Sequence, residues 1–306
     1  PLVTKNFDAI ELTIGADMHD EGIFFRSALP SWFNLLNLGL IWTATADSDT
    51  HFGGIPTPIG IPRNYIASSV DPRDGNGGSH AEIDLEEYAH SINTHRLTVS
   101  AGPIVFMHAK SDDGTAGEIG ETVTGNHVTL TVDVKAASWA WFDTIEIFAN
   151  TEPIPVDDKT DTPMQGTAAD PADFYRPYHR PRYTYEPSKV FKLSDGTLTS
   201  WKEENGVITA SMTFELNVNE DTWVVALARG TSTTKGYRSL FPIVTEALVD
   251  PKSAPDSIDP ANLSTTHTDK KVGAPAWGFT NPIFIDINGD GFAAKYIADK
   301  TSPLAR

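Results

Sequence analysis

The stretch "HVTLTVDV", residues 127–134, decides the fold of most of the chain. Its apolar residues Val128, Leu130, Val132 and Val134 alternate with polar ones. Because successive side chains of a strand point to opposite faces, this alternation predicts a β-strand with one buried face and one face in water.

Further apolar runs, separated by turn residues, follow this strand. They are "DTIEIFAN" (143–150), "VITASMTFELNV" (207–218), "DTWVVALARG" (221–230) and "NPIFIDI" (281–287). Short strands at such intervals are typical of an antiparallel β-sandwich. We therefore predict a β-sandwich domain over residues 97–306. It carries a long irregular insert at about 153–187 that is rich in Pro, Asp, Tyr and Arg.

The first 96 residues have a different character. "FDAIELTI" (7–14) and "IWTATA" (41–46) are typical of buried strands. Between them, "SWFNLLNLGL" (31–40) has apolar residues at helical spacing, with Ser31 as a candidate N-cap and Gly39 as a candidate stop. A strand, a helix and a second strand predict a parallel α/β unit.

A second helix is predicted further along the same segment. "AEIDLEEYAHSINTHR" (81–96) carries its apolar residues in an amphipathic pattern. The predicted fold is thus an α/β segment over residues 1–96 followed by an antiparallel β-sandwich.

Composition narrows the classes of partner. The 306 residues include 41 Asp and Glu against 23 Lys and Arg, a net charge of -18 that repels phosphate backbones and anionic lipids. Nucleic acid and membrane surfaces are therefore not expected partners, and no run approaches the roughly 20 apolar residues of a membrane-spanning helix. The absence of Cys excludes disulfides and thiolate metal sites. An acidic chain without Cys favours export to the periplasm or the extracellular space.

Two residues after the second predicted strand are candidate metal ligands. Asp49 and His51 are two positions apart, and such residues lie on the same side of an extended backbone. Carboxylate and imidazole ligands suit Zn, Mn or Fe. The alternative is that Asp49 caps the following turn and His51 is a surface histidine.

The sequence motifs around this pair resemble those of a known family. "WFNLLNLGLIWTATADSDTH" (32–51), "GIPRNYI" (60–66), "RLTVSAGPIVFM" (96–107) and "FTNPIFIDINGDG" (279–291) occur in this order. Together they resemble the closing segment of the polymerase-and-histidinol-phosphatase (PHP) metallohydrolases, in the bacterial branch where a β-sandwich follows the barrel.

The resemblance implies a distorted barrel whose strand ends hold two or three metal ions. Asp49 and His51 match the late Asp-x-His motif of that family, and Glu11 matches an acidic position on the preceding strand. Arg63 sits where a cation pairs with an anionic substrate, although an internal salt bridge is an equal alternative. The implied reaction is hydrolysis of a phosphoester by a metal-bound hydroxide.

The chain also departs from the family. None of its nine His residues forms the early His-x-His motif, and only two strands are predicted before residue 52, where a barrel of this kind needs about seven. The expectation is the C-terminal portion of a hydrolase. Three explanations of this partial barrel are open. The chain is a cleavage product held by an N-terminal chain that completes the barrel, or it is a truncated product, or it is a diverged protein that has lost the reaction.

A second candidate metal site follows the last predicted strand. Asp286, Asn288 and Asp290, with Gly291 next, match the first half of a calcium-binding loop, but the twelfth position is Ile297 instead of Glu. The alternative is a plain β-turn, for which Asn-Gly and Asp-Gly are favoured pairs. The alternative to the hydrolase is a non-catalytic, exported β-sandwich module that is stabilised by calcium at this loop and binds carbohydrate or protein.

Overall fold

The computed structural model describes residues 7–15, 24–49, 60–69, 83–156, 182–231 and 276–296. This part of the chain is mostly β-sheet with few helices, and its buried apolar side chains form one continuous core. The strands are β1 (Ala9–Ile14), β2 (Thr43–Asp47), β3 (Arg63–Ile66), β4 (Leu97–Ala101), β5 (Ile104–Ser111), β6 (Ala116–Glu118), β7 (Thr122–Thr124), β8 (His127–Ala137), β9 (Thr144–Ala149), β10 (Ile154–Pro155), β11 (Tyr183–Thr184), β12 (Lys189–Lys192), β13 (Lys202–Glu204), β14 (Val207–Asn217), β15 (Thr222–Arg229), β16 (Trp277–Thr280) and β17 (Ile283–Asp286). The helices are α1 (Leu29–Asn37), preceded by a π-helical turn over Phe24–Ala28, and α2 (Leu85–Asn93).

Two larger sheets share the core. One has five antiparallel strands in the order β13-β14-β8-β5-β6. The other has the path β12-β9-β15-β16-β4-β3, with β17 pairing with both β15 and β7. This arrangement is β-sandwich-like, as the sequence predicted.

The prediction for the face of β8 is confirmed. Val128, Leu130, Val132 and Val134 are all at most 1% exposed, while the residues between them are more accessible. The period of two residues is a local property of the strand, so it is readable without knowledge of the tertiary structure.

The N-terminal part forms the predicted parallel unit. Strands β1 and β2 pair in parallel, with Glu11 beside Thr45 and Ile14 beside Asp47. Helix α1 connects them and ends as predicted, because Gly39 adopts a φ of 70° that suits glycine after a helix. No other parallel strand pair with a connecting helix occurs in the described ranges.

The predicted start of this helix was wrong. Ser31 lies inside α1, and the helix begins at Leu29 with no side-chain cap. Pro30 occupies the first turn, where its missing N–H costs nothing and its fixed φ suits a helix. The preceding π-helical turn buries Phe24 and Phe25, so apolar burial replaces a polar cap as the start signal.

Helix α2 is shorter than the predicted segment 81–96. It begins after Asp84, whose carboxylate accepts hydrogen bonds from the backbone N–H groups of Glu86 and Glu87. Strand β3 lies before this helix and yet pairs antiparallel with β4, so residues upstream of 97 contribute to the sandwich sheet. The domain boundary at residue 97 stays a prediction.

Only the two ends of the insert at about 153–187 are described. Strands β10 and β11 pair antiparallel there, with Ile154 opposite Thr184. Residues 157–181, including most of the Tyr- and Arg-rich stretch, lie outside the described residues.

Candidate functional site

The first candidate site lies at the carboxyl ends of the two parallel strands. Glu11 on β1 is paired with Thr45, so it shares a sheet face with Asp47, two residues further along β2. Asp49 follows just beyond the strand with a φ of 47°, a left-handed conformation that Asp tolerates better than most residues. The fold therefore brings three carboxylates to one strand end.

These carboxylates influence one another. Partial burial of its carboxyl group raises the pKa of Glu11, and the charge of Asp47, a hydrogen bond to Asp47 and the charge of Asp49 raise it further. Like charges close together disfavour ionisation of one of their number. A cation placed among them would relieve this repulsion.

Asp47 is oriented by a neighbouring strand. The side-chain amide of Asn64, on β3, donates to Asp47 Oδ1 at 3.3 Å, while its oxygen accepts from the backbone N–H of Ala46 at 3.0 Å. Neither Asp47 nor Asn64 was among the predicted site residues. The signal for Asp47 was its place at the end of "IWTATAD", on the same face as Glu11.

The structure does not place the other two predicted residues of this site, His51 and Arg63, beside these carboxylates. His51 lies outside the described residues, so the structure does not place it beside Asp49. Arg63 directly precedes Asn64 on β3, and its side chain lines a groove with Tyr65, Lys135 and Trp139. Arg63 Nε donates to the backbone oxygen of Gly60 at 2.5 Å.

The second candidate site is the turn after β17. Asp286 is 4% exposed, and its Oδ1 accepts from the backbone N–H groups of Asn288 and Gly289 at 3.3 and 2.8 Å. Its Oδ2 accepts from Gly291 at 2.8 Å, and the side chain of Asn288 accepts from the N–H of Asp290 at 3.1 Å. The predicted residues thus lie together in one tightly hydrogen-bonded loop.

A third carboxylate reaches this loop from another strand. Asp221, just before β15, offers a ligand oxygen such that the oxygens of Asp221, Asp286 and Asp290 lie within 4.8 Å of one another. It also accepts from the N–H groups of Ile287 and Ala293 at 3.0 and 2.7 Å. No other group of three acidic or histidine ligand atoms in the described part of the chain is as close.

Sequence reasoning missed Asp221 because its approach depends on strand register. Thr222 pairs with Ile285 in the β15–β17 ladder, which sets Asp221 beside Asp286. The residue is 66 positions from Ile287 along the chain, and no local pattern links it to the loop.

The loop favours an ionised Asp286. Burial alone raises the pKa of this carboxyl, but the backbone N–H groups of Gly291, Gly289, Asn288 and Asp290 outweigh it, so the net pKa is lowered. A carboxylate has about four lone-pair sites, and three hydrogen bonds already use most of those on Asp286. Asp221 and Asp290 supply the remaining charge that a hard cation requires.

No protein-family model matches the chain, and no curated protein matches it. Within the described ranges, neither helix has the length and apolar character that a membrane span requires.

Proposed function

We propose that the chain is the C-terminal portion of a PHP-type metal-dependent hydrolase, with Glu11, Asp49 and His51 as metal ligands. The observation that carries this proposal is the placement of Glu11, Asp47 and Asp49 together at the carboxyl ends of a parallel strand pair. Parallel α/β folds place their sites at this end of the sheet.

The chemical types of these donors, carboxylate and imidazole, suit a divalent cation. Carboxylate oxygens in mutual repulsion gain from a positive charge placed between them, and a histidine completes a set that suits Zn, Mn or Fe. A metal held there supplies Lewis-acid activation of water for hydrolysis of a phosphoester. The substrate in this proposal is a small anionic molecule.

Strand β1 supports the expectation that a further polypeptide segment completes the site. Among the described residues, β1 pairs only with β2, and its other edge is not part of a ladder. A two-stranded parallel sheet is rarely a complete unit, because parallel sheets are covered and extended on both sides. A strand of an N-terminal chain or segment placed against β1 would continue the sheet towards a barrel and bring further ligands.

Metal binding by the chain tests the proposal. We expect competition with a chromogenic chelator to show Zn²⁺ or Mn²⁺ binding that weakens at least about tenfold in the double variant Glu11→Gln with Asp49→Asn. Asn is chosen because it also tolerates the positive φ of Asp49. Glu203→Gln, an exposed position on β13, is the matched control. Equal affinity in the wild type and the double variant would contradict the proposal.

The acidic loop at 286–290 favours a second, non-catalytic role. We propose that Asp221, Asp286 and Asp290 hold calcium and stabilise the sandwich, as an exported binding module would require. The carrying observation is the convergence of their oxygens to within 4.8 Å. Two of these carboxylates come from strands β15 and β17 or their ends, so an ion there would join the two strands.

Thermal unfolding distinguishes the two sites. Calcium at millimolar concentration is expected to raise the melting temperature of the wild type, through preferential binding to the folded state. Asp290→Asn should remove this increase, while the Glu11 and Asp49 double variant should retain it. A melting temperature that does not respond to calcium would rule out the second site and leave the first untouched.

A further inference from the structure

A groove at one end of the sandwich joins residues from four separate stretches of the chain. Its volume is about 340 Å³. Arg63 and Tyr65 come from β3, Lys135 from the end of β8, Trp139 from the turn after it, and Val207 from the start of β14. Only the completed fold brings these side chains together, because β3 and β14 belong to different sheets.

The groove concentrates exposed apolar surface. Trp139 is 49% exposed, Val207 46% and Tyr65 39%, and they are three of the nine large apolar side chains that are exposed in the described part of the chain. Apolar surface left in water at one place, and rimmed by polar groups, marks binding sites. Trp and Tyr are suited to this role because each has an apolar body with a polar tip.

The groove is also positively charged. Arg63 and Lys135 line it, and none of the described Asp and Glu residues does, although the whole chain has a net charge of -18. Neither Arg63 nor Lys135 forms a salt bridge within the described part of the chain. Two cations that have no carboxylate partner among the described residues form a local site for an anion.

Arg63 is held in a defined position. Its Nε donates to the backbone oxygen of Gly60, and its guanidinium packs 3.6 Å from the place where a Cβ on Gly60 would lie. With Nε engaged, the two terminal nitrogens have no hydrogen-bond partner among the described residues and can bind a ligand. A guanidinium that is oriented in this way is suited to paired hydrogen bonds with a carboxylate or phosphate.

We propose that this groove binds a small sugar that carries one anionic group, a carboxylate or a phosphate. The apolar face of the sugar ring packs against Trp139 and Tyr65, and the anion lies between Arg63 and Lys135. An open groove of this size suits a ligand that keeps part of its hydroxyl surface in water, whereas fully apolar ligands need enclosed pockets. The acidity of the rest of the chain disfavours long polyanions but not a single charge.

This site is separate from both metal proposals. Asn64, next to Arg63, faces Asp47, whereas Arg63 and Tyr65 face the groove, as alternate residues of a strand must. Failure of metal binding at Glu11 and Asp49 therefore leaves the groove unaffected.

The test is calorimetric titration of the chain with glucuronate, with glucose 6-phosphate and with neutral glucose. At least one anionic sugar is expected to bind saturably below about 10 mM, at least about tenfold more tightly than glucose. The preferred anion identifies whether a carboxylate or a phosphate is the natural group. Binding should also weaken with added salt, because the groove is open to water.

Matched variants locate the binding. Trp139→Ala and Lys135→Gln are each expected to weaken it at least about fivefold, the first by removing ring contact and the second by removing charge. The controls are Phe106→Ala, an aromatic side chain that is 41% exposed outside the groove, and Lys110→Gln on the outer face of β5. The absence of saturable binding by either anionic sugar would overturn the proposal. Equal losses in the groove variants and the controls would also overturn it.

Discussion

The side chain of Asn281 hydrogen-bonds both backbone polar groups of Ala44. Its oxygen accepts from the N–H of Ala44 at 2.8 Å, and its nitrogen donates to the Ala44 oxygen at 3.0 Å. The same nitrogen also donates to the oxygen of Leu97 at 3.1 Å. Asn281 thus gives the backbone of β2 the hydrogen-bond partners that an adjacent strand would provide. It also connects the parallel unit to strand β4 of the sandwich.

Replacing Asn281 by Leu, which has a similar size, should strongly destabilise the fold. The side chain is fully buried, so the substitution removes its hydrogen bonds to the N–H and the oxygen of Ala44, while the oxygen of Leu97 keeps its bond from the backbone N–H of residue 281. Each buried unsatisfied group costs about 1–3 kcal/mol, and a total loss of about 2–4 kcal/mol is expected after relaxation. Urea denaturation measures this loss, with Asn217→Leu at an exposed position as the control. A variant as stable as the control would show that Asn281 does not hold the unit.

His95 should make stability depend on pH. Burial lowers the pKa of His95 from 6.5 to about 4, and its Nδ1 lies 2.7 Å from the hydroxyl of Thr43. Below pH 6.5 the unfolded chain binds a proton at this position and the folded chain does not. The contribution of His95 is therefore complete above pH 6.5 and is lost as the pH falls towards 4, by roughly 3 kcal/mol at most.

His95→Asn isolates this effect, since Asn tolerates the φ of 62° at this position. The variant should be less stable than the wild type at pH 7.5, and this difference in urea midpoint should shrink at pH 4.5. His127→Asn is the contrast. A hydrogen bond to Asp112 raises the pKa of the exposed His127, so its stabilising effect is present below pH 6.5 and is lost as the pH rises through the folded pKa. A pH-independent difference for His95→Asn would refute the assignment.

Asp286→Asn should destabilise the chain even without calcium. The carboxylate accepts three backbone hydrogen bonds, and an amide must turn its NH₂ group towards at least one of those N–H donors. A loss of about 1–3 kcal/mol in unfolding free energy is expected in the presence of EGTA. Because the pKa of Asp286 is lowered, its contribution is present above pH 3.8 and is lost as the pH falls through the folded pKa. Equal melting temperatures of the variant and the wild type in EGTA would contradict this role.

Two glycines, one in the β5–β6 hairpin turn and one in the turn between β6 and β7, form a matched pair. Gly114 and Gly120 have φ values of 94° and 88°, so alanine is strained equally at both. A Cβ on Gly114 meets no atom within 4 Å, whereas one on Gly120 would lie 2.1 Å from the backbone oxygen of Thr94. Gly120→Ala should therefore cost at least about 2 kcal/mol more than Gly114→Ala in chemical denaturation. Similar costs would mean that the turn at Gly120 shifts freely.

The sequence predicted those parts of the fold that depend on residues close together along the chain. The face of β8 follows from alternation, and β1, α1 and β2 follow from their apolar runs and from Gly39. The start of α1 was predicted wrongly because the π-helical turn before it depends on the burial of Phe24 and Phe25 against the sandwich. Phe24 stacks on Trp277 at 4.5 Å, a contact between residues more than 250 positions apart.

The same distinction applies to the residues of the candidate sites: those close together in the sequence were predicted from their spacing, and those brought together by strand pairing were not. Asp286, Asn288 and Asp290 were predicted together because they are close in sequence, while Asp221 reaches them only through the register of β15 and β17. Glu11 and Asp49 were predicted from a family resemblance. The residues that orient and perturb them, Asp47 and Asn64, depend on which strands are neighbours.

The hydrogen bonds between Asn281 and Ala44 also affect how the chain folds during its synthesis. The two residues are 237 positions apart, so at about 5–20 residues per second the ribosome makes Asn281 roughly 10–50 s after Ala44. Throughout that interval a nascent β2 has an open edge, which is a template for pairing with other chains. We expect the first 50 residues to stay unfolded or chaperone-bound until the last strands emerge, and expression of a chain that stops at residue 231 to yield aggregate.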